Sequence, residues 1–194
     1  DLIRGALERV ALDRPREGFA EAIKHAAIRD AAMLDDLAAF DPSGRDVPAD
    51  LIARNVAIKA RVVEADEHET KDIRALMNFG HTIGHGSEAA VPYGEMLHGE
   101  AIAAGTLIAA ELSRRLGWID DAVVLRIEKL FVRAGLPVHG APLSAARYLE
   151  LMRHDKKVRD GRLRLVLLKR IGSAVVSDEA EEATIAAAIE ARCT

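Results

Sequence analysis

The chain has 194 residues, 49% hydrophobic and 30% charged, which is enough apolar material for one substantial core and too much for a disordered segment. Its 31 acidic and 27 basic residues leave a net charge of −4, and no basic stripe interleaves with aromatics, so nucleic acid is not the expected partner. A single cysteine, Cys193, excludes a disulfide framework and fits a cytoplasmic setting, while no apolar run reaches the ~20 residues of a membrane helix.

The first residues, Asp1-Leu2-Ile3, carry neither an initiator Met nor a basic-then-apolar signal, as expected of a domain from a longer protein. Abundant alanine and short Val/Ile runs predict a mainly α fold. Residues 18–37 read as one helix with Phe19, Ala20, Ile23, Ala27 and Leu34 as its apolar positions. Asp41-Pro42-Ser43-Gly44 reads as a turn. A long helix opens at Pro48-Ala49-Asp50 and runs to about residue 65, its apolar face formed by Ile52, Val56 and Val63. Lys59 falls on that same stripe, where burying an unpaired charge is costly.

After a charged connection over residues 66–71, a helix is expected over residues 73–89, ended by Pro92-Tyr93-Gly94. Another spans residues 98–116 and stops at Gly117. Asp120 or Asp121 caps the next, which reaches residue 134 before Gly135. Residues 137–142 read as a loop and 144–153 as a short helix. Residues 163–168 and 174–176 form a small β-hairpin around Gly172, and residues 179–192 a last helix. No boundary or internal repeat divides the chain, so residues 1–194 are taken as one domain.

The residues that carry chemistry lie in the middle. Arg74, Asn78, His81, His85 and Glu88 follow at i, i+4, i+7, i+11 and i+14, the period of one helix face. His98 follows in Leu97-His98-Gly99-Glu100. Clustered His and Glu indicate metal binding or proton transfer, because imidazole and carboxylate are the usual zinc donors. His81 and His85 alone form a weak H-x-x-x-H pair, and Thr82 stands where a zinc protease needs Glu. Glu21 and Lys24 would ordinarily be a weak surface pair, and Asp155-Lys156-Lys157 a solvated turn. His25, His68, His139 and His154 are assigned no role. Neither G-x-G-x-x-G nor a P-loop occurs, so no nucleotide-phosphate loop is expected, and no nucleophile elbow is present.

The run Asn78-Phe79-Gly80-His81-Thr82-Ile83-Gly84-His85, with Leu97-His98-Gly99-Glu100-Ala101, closely resembles the 3-dehydroquinate synthase family of the sugar-phosphate cyclase superfamily. Gly18-Phe19-Ala20-Glu21-Ala22-Ile23-Lys24-His25 resembles the family's G-[LF]-A-E-x-[IV]-K segment. Lys59-Ala60-Arg61-Val62-Val63 through Asp66-Glu67-His68-Glu69 resembles its K-A-x-V-V…D-E-x-E segment, and Ala134-Gly135-Leu136-Pro137 and Asp155-Lys156-Lys157 also fit. The likeness runs along nearly the whole chain in the family's order. Three departures stand out: the stretch from Glu69 to Arg74 is one residue longer than usual, Gly86-Ser87 replaces a more frequent Ala-Ile, and the Glu21-to-His81 interval is a few residues short.

This resemblance implies a fold: the helical, metal-binding C-terminal domain of the dehydroquinate synthase-like architecture, with the small β-hairpin and without its N-terminal α/β NAD-binding domain. It also implies a reaction, carried out by a phosphate lyase of the shikimate route to chorismate and the aromatic amino acids. There 3-deoxy-D-arabino-heptulosonate 7-phosphate becomes 3-dehydroquinate and phosphate through transient oxidation by NAD, elimination, reduction and aldol closure at Zn2+ or Co2+. The implied metal ligands are Glu21, His81 and His98. His85 would contact substrate or relay a proton, Lys24, Lys59, Arg74 and Asn78 would contact substrate, Glu69 would lie in the same polar network, and Lys156 or Lys157 would face the phosphate or carboxylate. No residue of the chain is implied in NAD binding. The implied partners are the sugar-phosphate substrate, the NAD-binding domain and a second copy in a homodimer. A sister cyclase of the 2-deoxy-scyllo-inosose or valiolone synthase type, a non-catalytic zinc-binding helical module and a metal-free interaction protein are the competing expectations.

Overall fold

A computed structural model describes residues 15–41, 47–68, 70–91, 96–154, 158–159 and 162–193. Among them the chain is mostly helical, as composition predicted. The helices are α1 (Pro15–Arg29), α2 (Ala31–Ala39), α3 (Ala49–Ala65), α4 (His81–Ala90), α5 (His98–Arg115), α6 (Asp121–Arg133), α7 (Ala145–His154) and α8 (Glu182–Glu190). A 3-10 turn, Arg74–Asn78, precedes α4.

Helix α5 is the axis of the fold. Its sequence is apolar or small on every side, the pattern of a helix surrounded by protein, and residues 101–113 are all buried. Helices α1, α4, α6 and α8 and the strand over Leu165–Arg170 pack around it. The helix ends where Gly117 takes φ 74°; the N–H of Gly117 donates to the Arg114 carbonyl at 2.8 Å and that of Trp118 to Ser113 at 3.0 Å, satisfying carbonyls of the last turn. Asp120 caps α6 by accepting from the Val123 N–H at 3.0 Å.

The seam between α4 and α5 depends on glycine. A Cβ on Gly84 would stand 2.6 Å from the Ala101 carbonyl oxygen, and one on Gly80 2.5 Å from the Thr106 nitrogen. The two backbones therefore approach more closely than any side chain allows. This close approach brings the histidines of α4 beside the start of α5.

The antiparallel hairpin pairs β3 (Leu165–Arg170) with β4 (Ser173–Ser177), Leu165 opposite Ser177, and Gly172 makes the turn at φ 80°. A second ladder, not expected from the sequence, pairs β1 (Val158–Arg159) with β2 (Arg162–Leu163). Leu163 belongs to that ladder, so the strand expected over residues 163–168 is divided at Arg164. The last helix is shorter than residues 179–192.

Three further expectations are corrected. The helix over residues 18–37 is two helices, because the Asp30 carboxylate accepts from the Met33 N–H at 3.1 Å and starts a new helix inside a continuous apolar pattern. The helix over residues 73–89 is broken at Gly80, whose φ of 78° no right-handed helix contains. The buried line of α3 is Leu51, Ile58 and Val62, whereas Ile52 and Val63 are each 37% exposed and Lys59 points outward with them. The anomaly of a lysine on a buried stripe therefore disappears. The turn at residues 42–44 and the break at residues 92–94 lie outside the described residues.

Candidate metal centre

Glu21 on α1, His81 at the first turn of α4 and His98 at the first turn of α5 converge, each offering a ligand atom within 4.8 Å of the others. The break at Gly80 makes this possible: it turns the chain from the 3-10 segment into α4, so that His81 opens the helix facing α1. His81 Nδ1 lies 3.4 Å from the Phe79 carbonyl, which can only accept. That contact places the proton on Nδ1 and leaves the lone pair on Nε2, 3.7 Å from Glu21 Oε1. Burial, reinforced by the Lys24 charge, pushes the His81 imidazole down to about 3, so it stays neutral as a metal ligand must.

Glu21 is held from behind. Lys24, only 2% exposed, donates through Nζ to Oε2 at 2.6 Å. His25 Nε2 lies 3.5 Å from the same oxygen. Burial raises the Glu21 carboxyl, but the Lys24 charge and its hydrogen bond outweigh it and hold the group below its usual range. The other oxygen, Oε1, is buried with no hydrogen-bond partner among the described residues. A buried carboxylate oxygen without a donor is costly, and a cation facing it would remove that cost. The residues fit a divalent metal on this ground: one unsatisfied oxygen, one neutral imidazole with its lone pair turned the same way, and a second imidazole within reach.

Three imidazoles cluster here. The His81 ring centroid lies 5.6 Å from that of His85 and 5.5 Å from that of His98, and His85 lies 6.0 Å from His98. His85, one turn beyond His81, is exposed, as is His98. His98 Nδ1 stands 3.6 Å from Glu88 Oε2, and His85, Glu88 and His98 also lie within 4.8 Å of one another. His81, His85 and Glu88 thus share a face of α4. Arg74 and Asn78 do not continue that face, since they sit on the preceding 3-10 turn.

Lys59 is exposed, yet its charge reaches both Lys24 and His25. Arg74 is exposed, and its backbone N–H donates to Asp66 Oδ2 at 3.2 Å. Asp66, to which the sequence assigned no role, is buried and accepts also from the N–H groups of Thr70, Lys71 and Ile73, so one carboxylate shapes the segment leading to Arg74. His25 and Asn55 are the other residues that were missed. The signal was present for His25: it follows Glu21 by four positions, one helix turn, and so shares its face. Glu69, Lys156 and Lys157 lie outside the described residues.

The departure at Gly86-Ser87 has a local reason. Ser87 Oγ donates to Tyr148 Oη at 2.8 Å, Tyr148 donates onward to the Ala141 carbonyl at 3.1 Å, and a Cβ on Gly86 would meet the Tyr148 ring at 3.4 Å. Here a small residue and a hydroxyl receive a buried tyrosine from α7.

Comparison with known proteins gives a consistent result. The profile of the 3-dehydroquinate synthase C-terminal family matches residues 18–158. A 3-dehydroquinate synthase of Nitrosospira multiformis is 47% identical over 165 residues, covering 83% of this chain and 45% of that protein. One of Nitrosomonas europaea is 48% identical over 170 residues, covering 84% and 45%. The chain therefore spans about half the length of these curated relatives. Among solved structures, the 2-epi-5-epi-valiolone synthase of Streptomyces hygroscopicus subsp. jinggangensis, with NAD+ and Zn2+ bound, superposes with a TM-score of 0.80 at 27% identity, over 91% of this chain and 50% of that one. A 2-deoxy-scyllo-inosose synthase complexed with carbaglucose-6-phosphate, NAD+ and Co2+ shares the fold, with a TM-score of 0.74 at 23% identity, over 92% and 51%.

Proposed function

This chain belongs to the 3-dehydroquinate synthase C-terminal family, and from that premise we propose that it is the metal- and substrate-binding part of a 3-dehydroquinate synthase. The observation that carries the reading is the convergence of Glu21, His81 and His98 around one unsatisfied carboxylate oxygen. In this proposal these residues hold a divalent cation, Zn2+ or Co2+. When bound, such an ion supplies a Lewis-acidic point that orients substrate hydroxyls and stabilises developing negative charge.

The remaining roles follow from position. Lys24 keeps Glu21 ionised and adds positive charge to the floor of the site. Lys59, Arg74 and Asn78 contact substrate from the rim. His85, exposed beside His81 and His98, moves a proton at the substrate without holding the metal. Glu69 and the Lys156-Lys157 pair belong to the same proposal, the lysines facing phosphate or carboxylate. So do NAD held by an α/β domain outside this chain, a homodimer, the seven-carbon sugar-phosphate substrate and a cytoplasmic setting. No described helix is long and apolar enough to cross a membrane.

Identities of 47% and 48% to dehydroquinate synthases against 27% to the valiolone synthase favour dehydroquinate as the product over that of a sister cyclase. The test is zinc content by elemental analysis of the purified protein beside His98→Ala, with cyclase assays on the full-length enzyme. Near-stoichiometric zinc that disappears in the variant, with turnover of the heptulosonate phosphate, is the expected result. Equal zinc in both proteins would overturn the ligand set, and turnover of only a different sugar phosphate would overturn the substrate.

A further inference from the structure

The neighbourhood of Glu21 contains an unresolved polar conflict. His25 is 4% exposed, and its Nδ1 lies 2.5 Å from Asn55 Oδ1 on α3. Its Nε2 is buried without a hydrogen-bond partner among the described residues and faces Glu21 Oε2 at 3.5 Å. If the Asn55 carbonyl accepts from Nδ1, a neutral ring has its lone pair on Nε2, and that lone pair confronts a carboxylate oxygen. Two acceptors then oppose each other in a buried place, which is unfavourable. Turning the Asn55 amide by half a rotation presents its NH2 to Nδ1 instead. The proton then sits on Nε2 and points at Oε2, and both imidazole nitrogens have a partner.

We infer that His25 is a positioning residue for Glu21: its Nε2–H donates to Oε2, in a tautomer selected by the Asn55 amide. Oε2 is then held from two directions, by Lys24 at 2.6 Å and by His25 at 3.5 Å, both on the same helix. That fixes the carboxylate plane and leaves Oε1 as the oxygen turned to His81. Asn55 extends the support to α3, so two helices orient one ligand oxygen. The partners behind a metal ligand set its direction and basicity, and losing one typically costs roughly 10- to 100-fold in metal affinity. The affinity consequence rests on the metal reading of Glu21; the tautomer does not.

The test combines selective 15N-histidine NMR with zinc titration of the full-length protein. His25 is assigned by the signal missing in His25→Gln and is expected to carry its proton on Nε2; a proton on Nδ1 overturns the inference. His25→Phe, which keeps the packing but has no donor, should weaken zinc binding roughly 10- to 100-fold. His25→Gln, whose amide N–H can take the place of Nε2–H, should restore most of the affinity. Unchanged affinity in His25→Phe, or an equal loss in the Phe and Gln variants accompanied by lower melting temperatures, would reduce His25 to a packing residue and overturn the proposal. If the wild-type protein binds no zinc at all, the metal reading fails by itself, and the tautomer still decides the inference.

Discussion

Glu21 and Glu111 are carboxylates on two helices of one core, and the protein treats them in opposite ways. Glu111, near the C-terminal end of α5, has a side chain 7% exposed with both oxygens occupied: Arg114 and Arg115 donate to Oε1 at 2.6 and 2.8 Å, and Arg114 to Oε2 at 3.0 Å. Nearby Ser113 is equally settled, donating to the Ala109 carbonyl and accepting from the Leu168 N–H. Glu21 has one oxygen held by Lys24 and the other with no partner among the described residues. A saturated buried carboxylate is part of the scaffold. One that keeps an oxygen unsatisfied beside two imidazoles fits a cation from outside the chain, as proposed above.

The sharpest way to break this contrast is to neutralise each carboxylate in turn. Glu21→Gln keeps an acceptor for Lys24 but offers the metal an amide in place of a charge. Zinc content is expected to fall from near one per chain to background, and the melting temperature falls too, because Lys24, 2% exposed, loses its countercharge. Glu111→Gln should lose stability but keep its zinc, measured by elemental analysis and thermal melts side by side. If Glu111→Gln also lost its zinc, the division between the two carboxylates would not hold.

A smaller effect should appear where scaffold and site meet. In Gly84→Ala the new methyl would stand 2.6 Å from the Ala101 carbonyl. Separating α4 from α5 by even a few tenths of an ångström moves His81 away from His98, so stability and metal affinity should fall together. Overpacking of this kind costs about 1–3 kcal/mol. A urea melt combined with a zinc titration checks it; loss of stability with unchanged affinity would mean that the seam is structural only.

Glu111 also sets a pH dependence. Burial raises its carboxyl, but Arg114 and then Arg115 outweigh burial and hold it below the usual carboxylate range. The folded value is therefore below the unfolded one, and between the two the unfolded chain binds more protons. Its contribution is fully present above the unfolded value, about pH 4.3, and is lost as pH falls through the folded value. The two arginines are each about one-third exposed, so solvent screens the pairs and the contribution should be roughly 1 kcal/mol. In urea melts the stability gap between wild type and Glu111→Gln should be constant near neutrality and close in the acid range. A gap of the same size at pH 7 and pH 3 would contradict the assignment.

How much of this was legible from the residues depends on what fixes each feature. Helix α5 was readable, because a run of small and apolar residues ending at Gly117 has few alternatives in a globular chain. The hairpin at Gly172 was readable for a similar reason. The break at Asp30 was not, since apolar periodicity continues across it and only the carboxylate's choice of the Met33 N–H decides the matter. The break at Gly80 was hidden by a polar stripe whose offsets happen to continue a helical period across the turn. For the candidate metal centre, spacing alone pairs His81 with His85. The meeting of Glu21, His81 and His98 depends on the glycine seam and the docking of α1, which no local pattern encodes; the family motifs pointed to it. The buried face of α3 was misassigned because Val and Ile mark apolar positions without saying which are covered.

The smallest expected effect concerns the scaffold alone. Asp120 is the N-cap of α6, accepting from the Val123 N–H at 3.0 Å at an exposed position remote in sequence from the histidines. Asp120→Ala leaves that N–H without its partner and removes a negative charge from the positive end of the helix dipole. The expected loss is about 1 kcal/mol, or roughly 2–4 °C in melting temperature for a domain of this size. Helix α6 packs against α5 and α1, but its first turn lies at the C-terminal end of α5, where Asp121 pairs with Arg114 at 3.3 Å, so loosening it should leave Glu21, His81 and His98 where they are. Zinc affinity is therefore expected to match wild type within error. A loss of affinity would mean that the strain passes along α5 to His98, and that scaffold and site are mechanically one unit.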